Sequence, residues 1–269
     1  MMMPVVSRAA RRCANAARGL GYLLRGRLRR VPVSSLTSLA AFSFAADGWH
    51  YFTAAIDELE RHPGLRPEGS VLTRFYEQFQ PTAQEGFLPV HRSPSWRSTR
   101  QCYLPPWGGG KMVNPADRFE HWCGPKRPED IAAIWEQLRE AYLRLKRVGY
   151  RPWASTNGFI QVTRLVHRDG TFRCLVTQGH HRAAIVSRLG YQKIWVLLHR
   201  TGRQGYPRNM PDTVRLTEAA SWPNVRNDRF SAEDAVAFFE AYFRFNGTER
   251  MPKPCSIETM PRVEAPVCR

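Results

Sequence analysis

Gly179-His180-His181-Arg182 puts a residue without a side chain, two imidazoles and a guanidinium into one turn of chain. Glycine lets a ligand approach the backbone closely. Arginine meets phosphate oxygens with paired N–H donors, and histidine donates, accepts or carries a proton near neutral pH. The chemistry these types suit is phosphate binding, with His180 or His181 contacting a terminal phosphate or taking the proton of an attacking hydroxyl. A plain tight turn followed by a surface arginine has the same spacing, since G-x-x-R is short and common. The flanking elements have to separate the two.

Those elements are well marked. Residues 159–166 and 171–176 are rich in β-branched and aromatic types and are separated by Asp169-Gly170. That dipeptide suits the two positive-φ positions of a type I′ hairpin turn. Asp169 is read as a turn residue, an acid only if the hairpin tip folds toward the site. The second strand runs through Gln178 into the glycine. Residues 183–189 (AAIVSRL) then predict a short helix closed by Gly190, and residues 193–199 predict another buried strand. Strand, glycine corner, helix is the arrangement in which the first amides of a helix, unpaired and at the positive end of its dipole, face an anion.

Taken together, Gly179-His180-His181-Arg182, the following Ala183-Ala184, Leu189-Gly190-Tyr191 and the strand opening Lys193-Ile194-Trp195-Val196 resemble the ParB/sulfiredoxin superfamily. A long helix over residues 129–148 that leads through Gly149-Tyr150-Arg151-Pro152 into the first hairpin strand is similar to that superfamily as well. The resemblance covers about residues 129–200. In the superfamily the G-x-x-R corner binds nucleotide phosphates. ParB proteins carry Gly-Glu-Arg-Arg and bind CTP, sulfiredoxins carry Gly-Cys-His-Arg and use ATP, and the free serine kinases carry an Asp-Gly-x-x-Arg version and phosphorylate a small molecule. Two departures limit the transfer. His180 stands where sulfiredoxins have their cysteine, so thiol chemistry does not carry over, and Gln178 stands where the kinases have aspartate. What the resemblance implies is an α+β fold, a ParB/sulfiredoxin-like mixed sheet with flanking helices. Gly179, His180, His181 and Arg182 would bind nucleotide phosphates, His180 and His181 being the catalytic candidates.

Other candidates are weaker. Trp107-Gly108-Gly109-Gly110-Lys111 offers Lys111 as a further phosphate contact, although it lacks the G-x-x-x-x-G-K-[ST] spacing. It falls in an irregular stretch, residues 88–128, whose Trp96, Trp107, Phe119 and Trp122 argue against simple disorder and suit a substrate lid better than a DNA reader. His121 near Cys123 has no second pair to complete a metal site. His50, between Trp49 and Tyr51, reads as a satisfied structural histidine. The six cysteines show no C-x-x-C spacing, which points to a reducing setting.

The chain carries a formal charge of +17, which favours anionic partners. Eight arginines lie in the first thirty residues and no acid precedes Asp47. At about 100° per residue, positions 5–29 form one amphipathic helix with Val5, Ala9, Cys13, Ala16, Leu20, Leu23 and Leu24 on one side. This suits an anionic membrane surface or an organellar targeting segment. A disordered basic arm is the plain alternative. Further on, Ser70 predicts the cap of a helix to about Phe79, and Ser231 with Asp234 that of a helix to Phe245, with Val236, Phe239, Tyr242 and Phe243 turned inward. The expected organisation is an arm over 1–30, a helical, loop-rich accessory segment over 31–128, a core over 129–200, and a C-terminal helix and tail over 201–269. The expected function is that of a nucleotide-phosphate-binding protein, an ATP-dependent (or CTP-dependent) phosphotransferase with Mg²⁺ acting on a small anionic or polyol substrate. The expected location is cytoplasmic, peripheral on the inner face of a membrane. The alternatives are a ParB-like nucleotide-gated DNA-binding protein and a non-catalytic membrane-surface scaffold.

Overall fold

The structure, a computed structural model, describes residues 8–81, 88, 90, 105–108, 122–154, 158–198 and 210–252. In chain order its main elements are α1 (Arg8–Leu24), β1 (Leu28–Pro32), β2 (Leu36–Thr37), α2 (Tyr51–Arg61), α3 (Val71–Gln78), α4 (Pro128–Val148), β3 (Ile160–Val166), β4 (Phe172–Gln178), α5 (His180–Arg188), β5 (Lys193–Leu198), β6 (Thr213–Arg215), α6 (Pro223–Arg226) and α7 (Ala232–Arg244). Lys111, His121, most of the expected lid and the tail beyond residue 252 lie outside the described residues.

The fold is α+β around a mixed sheet. Strand order is β1-β5-β3-β4-β2, with β6 also on β3. β3 runs antiparallel to β4 and parallel to two partners in succession: Ile160 to Val162 pair with β5, and Arg164 to Val166 pair with β6. The central strands are apolar on both faces, with Ile160, Val162, Leu165, Cys174, Leu175 and Val176 buried, as strands covered by helices must be. β1 and β2 from the N-terminal segments and β6 from the C-terminal one join the same sheet. One buried cluster runs from Val31 to Tyr242.

Two expectations need correction. The first helix stops at Leu24, because Leu28 to Pro32 pair with β5, and a row of ladder bonds outweighs a modest helix preference. The β3–β4 turn is a three-residue loop. Gly170 N donates to His167 O at 3.1 Å and His167 N to Thr171 O at 2.9 Å, with Gly170 alone at positive φ, 85°. That is a type I turn followed by a glycine bulge. Asp169 stays out of the left-handed region, its Oδ1 accepting from Thr171 N at 2.8 Å and Thr171 Oγ1 at 2.6 Å.

The helices follow their sequence signals closely. α4 buries Ile131, Trp135, Leu138, Tyr142 and Leu145, while Val148 at its end is exposed. α7 buries Phe238, Phe239 and Tyr242 and keeps Val236 and Phe243 half-buried. Its rings enclose Trp107 at centroid distances of 5.6, 5.9 and 6.1 Å, and Tyr242 Oη donates to Leu39 O at 2.8 Å. Cys123 and Cys174 are buried. Among the described residues no helix is long and apolar enough to cross a membrane.

Candidate functional site

β4 passes into α5 through Gly179, at φ 95° and ψ 33°. A left-handed residue turns the chain from strand to helix in one step, and glycine adopts it without a Cβ clash. A Cβ there would also stand 2.8 Å from Arg182 Nη2 and 3.2 Å from its Cζ and Nε. The Arg182 guanidinium is thus folded back over the glycine, and Nη1 donates to Phe159 O at 3.3 Å. The Ala183 amide donates to Gly179 O at 2.9 Å, and the amides just before it are the ones an α-helix leaves over.

α5 buries Ala183, Ala184, Ile185 and Val186, and these small and medium side chains let α2 lie close. Arg188 holds the contact through Asp57 at 2.8 Å and Thr53 O at 3.4 Å, and Ser187 Oγ donates to Phe44 O at 2.5 Å. The result is a cluster of three imidazoles. His50, wholly buried at the N-cap of α2, lies 6.5 Å from His180, ring centroid to centroid, with 29° between the planes. Phe44 stacks on His50 at 4.2 Å and lies 6.5 Å from His180. Phe52 meets His181 edge to face at 4.4 Å.

These histidines are incompletely satisfied. His50 Nδ1 accepts from Phe52 N at 3.1 Å, but Nε2 is buried with no hydrogen-bond partner among the described residues. The expected satisfied structural histidine is therefore satisfied on one side only. Part of His180 reaches the surface, yet both its ring nitrogens are buried and equally without a partner among the described residues. Buried polar atoms are nearly always paired, so each exception marks something unfinished.

Burial, and then the positive charges of His181 and Arg182, push His180 down to about 4. Burial and then Arg182 push His181 down to about 4. Burial followed by His180 and His181 holds His50 well below its ordinary value. All three are neutral at pH 7. Arg182 is itself disfavoured as a cation, by burial first and also by nearby Arg144 of α4, with the Tyr150 hydroxyl acting the other way. Tyr150, from the Gly149-Tyr150-Arg151-Pro152 run, is fixed by accepting from Ile160 N and donating to Trp195 O, both at 3.2 Å.

The structure thus brings Gly179, His180, His181 and Arg182 into one corner and adds His50 and Arg144, which the sequence reading missed. Arg144 stands four residues after Glu140, yet among the described residues the two form no ion pair. Asp169 lies beyond the other end of the seven-residue β4, about 20 Å away at roughly 3.3 Å per residue, so it is a turn residue only. Gln178 Oε1 accepts from Gln161 Nε2, which ties the side chain at the kinase-type aspartate position to the neighbouring strand. No group of three histidine, cysteine or acidic side chains among the described residues is placed to hold a metal. A separate cleft of about 280 Å³, lined by Thr73, Tyr76, Glu77, Lys126 and Ile131 among others, shares no residue with the corner. No protein-family model, no curated protein and no solved structure matches this chain.

Proposed function

We propose that the corner binds the phosphates of a nucleoside triphosphate, as a ParB/sulfiredoxin-like domain would. We further propose that the reaction it serves is transfer of a phosphoryl group from ATP (or CTP), with Mg²⁺, to a small anionic or polyol acceptor. The observation that carries the reading is the Arg182 guanidinium folded over left-handed Gly179 at the opening of α5, beside His180 with two unmatched ring nitrogens. Phosphoryl transfer asks mainly for positioning and charge neutralisation, and guanidinium, leftover amides and imidazole N–H groups supply both. Imidazoles held near 4 are weak bases at neutral pH, so His180 and His181 act first as hydrogen-bond partners of phosphate and acceptor. They take a proton only as the P–O bond to the acceptor forms.

Thermal unfolding with ATP, CTP or GTP and Mg²⁺, on the wild type and on Arg182→Ala, tests this. A ligand at about 100 times its Kd adds about 2.7 kcal/mol of apparent stability. One nucleotide should raise the wild-type melting temperature and fail to raise that of the variant. No shift in the wild type with any nucleotide overturns the reading.

A second reading concerns α1. It is docked by Gly19, where a Cβ would meet the Trp153 ring at 2.2 Å, and by Asn15 Nδ2 donating to Ala154 O at 3.4 Å. Leu20, Leu23 and Leu24 are left 54 %, 44 % and 78 % exposed. Exposed leucines on an arginine-rich segment that lacks acids support peripheral contact with an anionic membrane face. Because residues 28–30 belong to the sheet, substitution is a cleaner test than truncation. Replacing Leu20, Leu23 and Leu24 with serine should abolish co-sedimentation with phosphatidylglycerol vesicles and leave the fold intact. Equal sedimentation of both proteins overturns it.

A further inference from the structure

The Nδ1 atom of His50 accepts the Phe52 amide at 3.1 Å. A neutral imidazole that accepts at Nδ1 carries its proton on Nε2, so the tautomer is fixed by the helix cap. The Nε2–H is therefore a donor, buried in a residue with 0 % exposure and with no acceptor among the described residues. His180, 6.5 Å away ring to ring, has neither of its nitrogens matched. These are three unmatched ring nitrogens on two nearly parallel rings, at the end of the helix that Gly179 opens.

Water or a ligand oxygen is the kind of group that completes such a set, and the surrounding charge selects between them. Positive potential at the corner is high enough that Arg144 disfavours the charge on Arg182, and Arg182 that on His180 and His181. The imidazoles are held neutral there, and a neutral N–H donor binds an anionic oxygen without adding a further buried cation. Charge-assisted bonds from neutral donors to phosphate are also stronger than those to water.

We infer that His50 is a phosphate-binding residue of this corner, donating Nε2–H to a phosphate oxygen of the nucleotide opposite Arg182. The inference rests on the function proposed above and extends the site from α5 to the N-terminus of α2. It also assigns His50 two separable tasks, with Nδ1 capping the helix and Nε2 holding ligand.

Asparagine and glutamine separate these tasks, because the Asn amide reproduces the position of Nδ1 and the Gln amide that of Nε2. Asparagine is also among the favoured N-caps. Titrations with Mg-ATP, Mg-CTP and inorganic pyrophosphate on wild type, Arg182→Ala, His50→Asn and His50→Gln give the answer. His50→Asn should keep a near-wild-type melting temperature and lose about tenfold or more in affinity, the scale of one hydrogen bond to a charged group. His50→Gln should melt lower and keep more of the affinity. ¹⁵N-histidine spectra of the wild type should show His50 as the Nε2–H tautomer, with that signal moving when ligand is added. Wild-type affinity in a folded His50→Asn, or an unmoved His50 signal on saturation, overturns the inference. If Arg182→Ala has meanwhile lost binding, the phosphate-binding reading survives that result. Absence of binding by the wild type overturns both together.

Discussion

The N-termini of α7 and α5 solve the same problem in opposite ways. At α7, Ser231 Oγ accepts from Asp234 N at 3.0 Å and donates to Asp234 Oδ2 at 2.8 Å, and Glu233 and Asp234 supply negative charge to the first turn. The helix is closed by its own sequence. At α5 the N-cap is Gly179, which has no side chain to offer, the first turn holds no acid, and His180, His181 and Arg182 crowd the positive end of the dipole. α3 sides with α7, being capped by Ser70, while α2 stands between, its cap made by His50 Nδ1 and the Nε2 of the same ring left unmatched among the described residues. A helix start that neutralises itself contributes stability. One that gathers positive and unmatched groups gives some of it up, and the shortfall is what a bound anion would make good.

The largest test of that difference is pH. The folded-state values of His180 and His181, about 4, lie below the 6.5 of an unperturbed histidine, and His50 is shifted the same way. As pH falls through 6.5 the unfolded chain takes up protons that the folded chain refuses. The stability that neutral imidazoles permit is therefore present above pH 6.5 and is lost progressively toward pH 4. Each of His180 and His181 contributes on the order of 2–3 kcal/mol to this loss. Urea unfolding at pH 7.5 and pH 5 should show a steep decline in the wild type and a shallower one in a His180→Gln, His181→Gln double variant. Equal declines would mean the cluster is not buried in its neutral form. Bound nucleotide should oppose the decline, because an anion beside the rings raises their affinity for protons.

Gly179→Ala comes next. Placing alanine in the left-handed region costs about 1–2 kcal/mol, and the new Cβ meets the Arg182 guanidinium at 2.8 Å from Nη2. The variant should melt several degrees lower and lose nucleotide stabilisation with it. If it melts lower but responds fully to nucleotide, the guanidinium does not need its place over the glycine, and the contrast between the two helix starts loses its functional meaning.

Much of this was legible beforehand because it is local. The β3–β4 hairpin, the Gly179 corner, the caps at Ser70 and Ser231 and the apolar stripe of α4 all depend on residues within a few positions of one another. What was not legible depends on which distant segments meet. The end of α1 is set by the pairing of β1 with β5, some 165 residues on, and no periodicity within residues 5–29 reports that. His50 reads as an ordinary aromatic-flanked histidine until α2 is laid against α5 by Arg188 and Asp57. Arg144 stands four residues after Glu140, where a helical ion pair is the ordinary expectation, and only the approach of α4 to α5 gives it Arg182 as a neighbour. The hairpin turn departs from the type I′ expectation for a local reason. Asp169 and Gly170 fit two turn types, and the one adopted lets the Asp169 carboxylate bind Thr171 instead of forcing aspartate to positive φ.

The smallest effect is expected at the other helix start. Ser231→Ala removes the acceptor of the Asp234 amide and the hydroxyl that Asp234 Oδ2 holds, a loss of about 1 kcal/mol for a cap of this kind. Asp234 remains in the first turn, so the dipole keeps its negative charge. The melting temperature should fall by a few degrees, the nucleotide-induced rise should equal that of the wild type, and the pH dependence between 7.5 and 5 should be unchanged, since no imidazole is touched. A Ser231→Ala protein that lost its response to nucleotide would show that α7 and α5 report on one shared stability rather than on two local ones. The open end of α5 would then have no special standing.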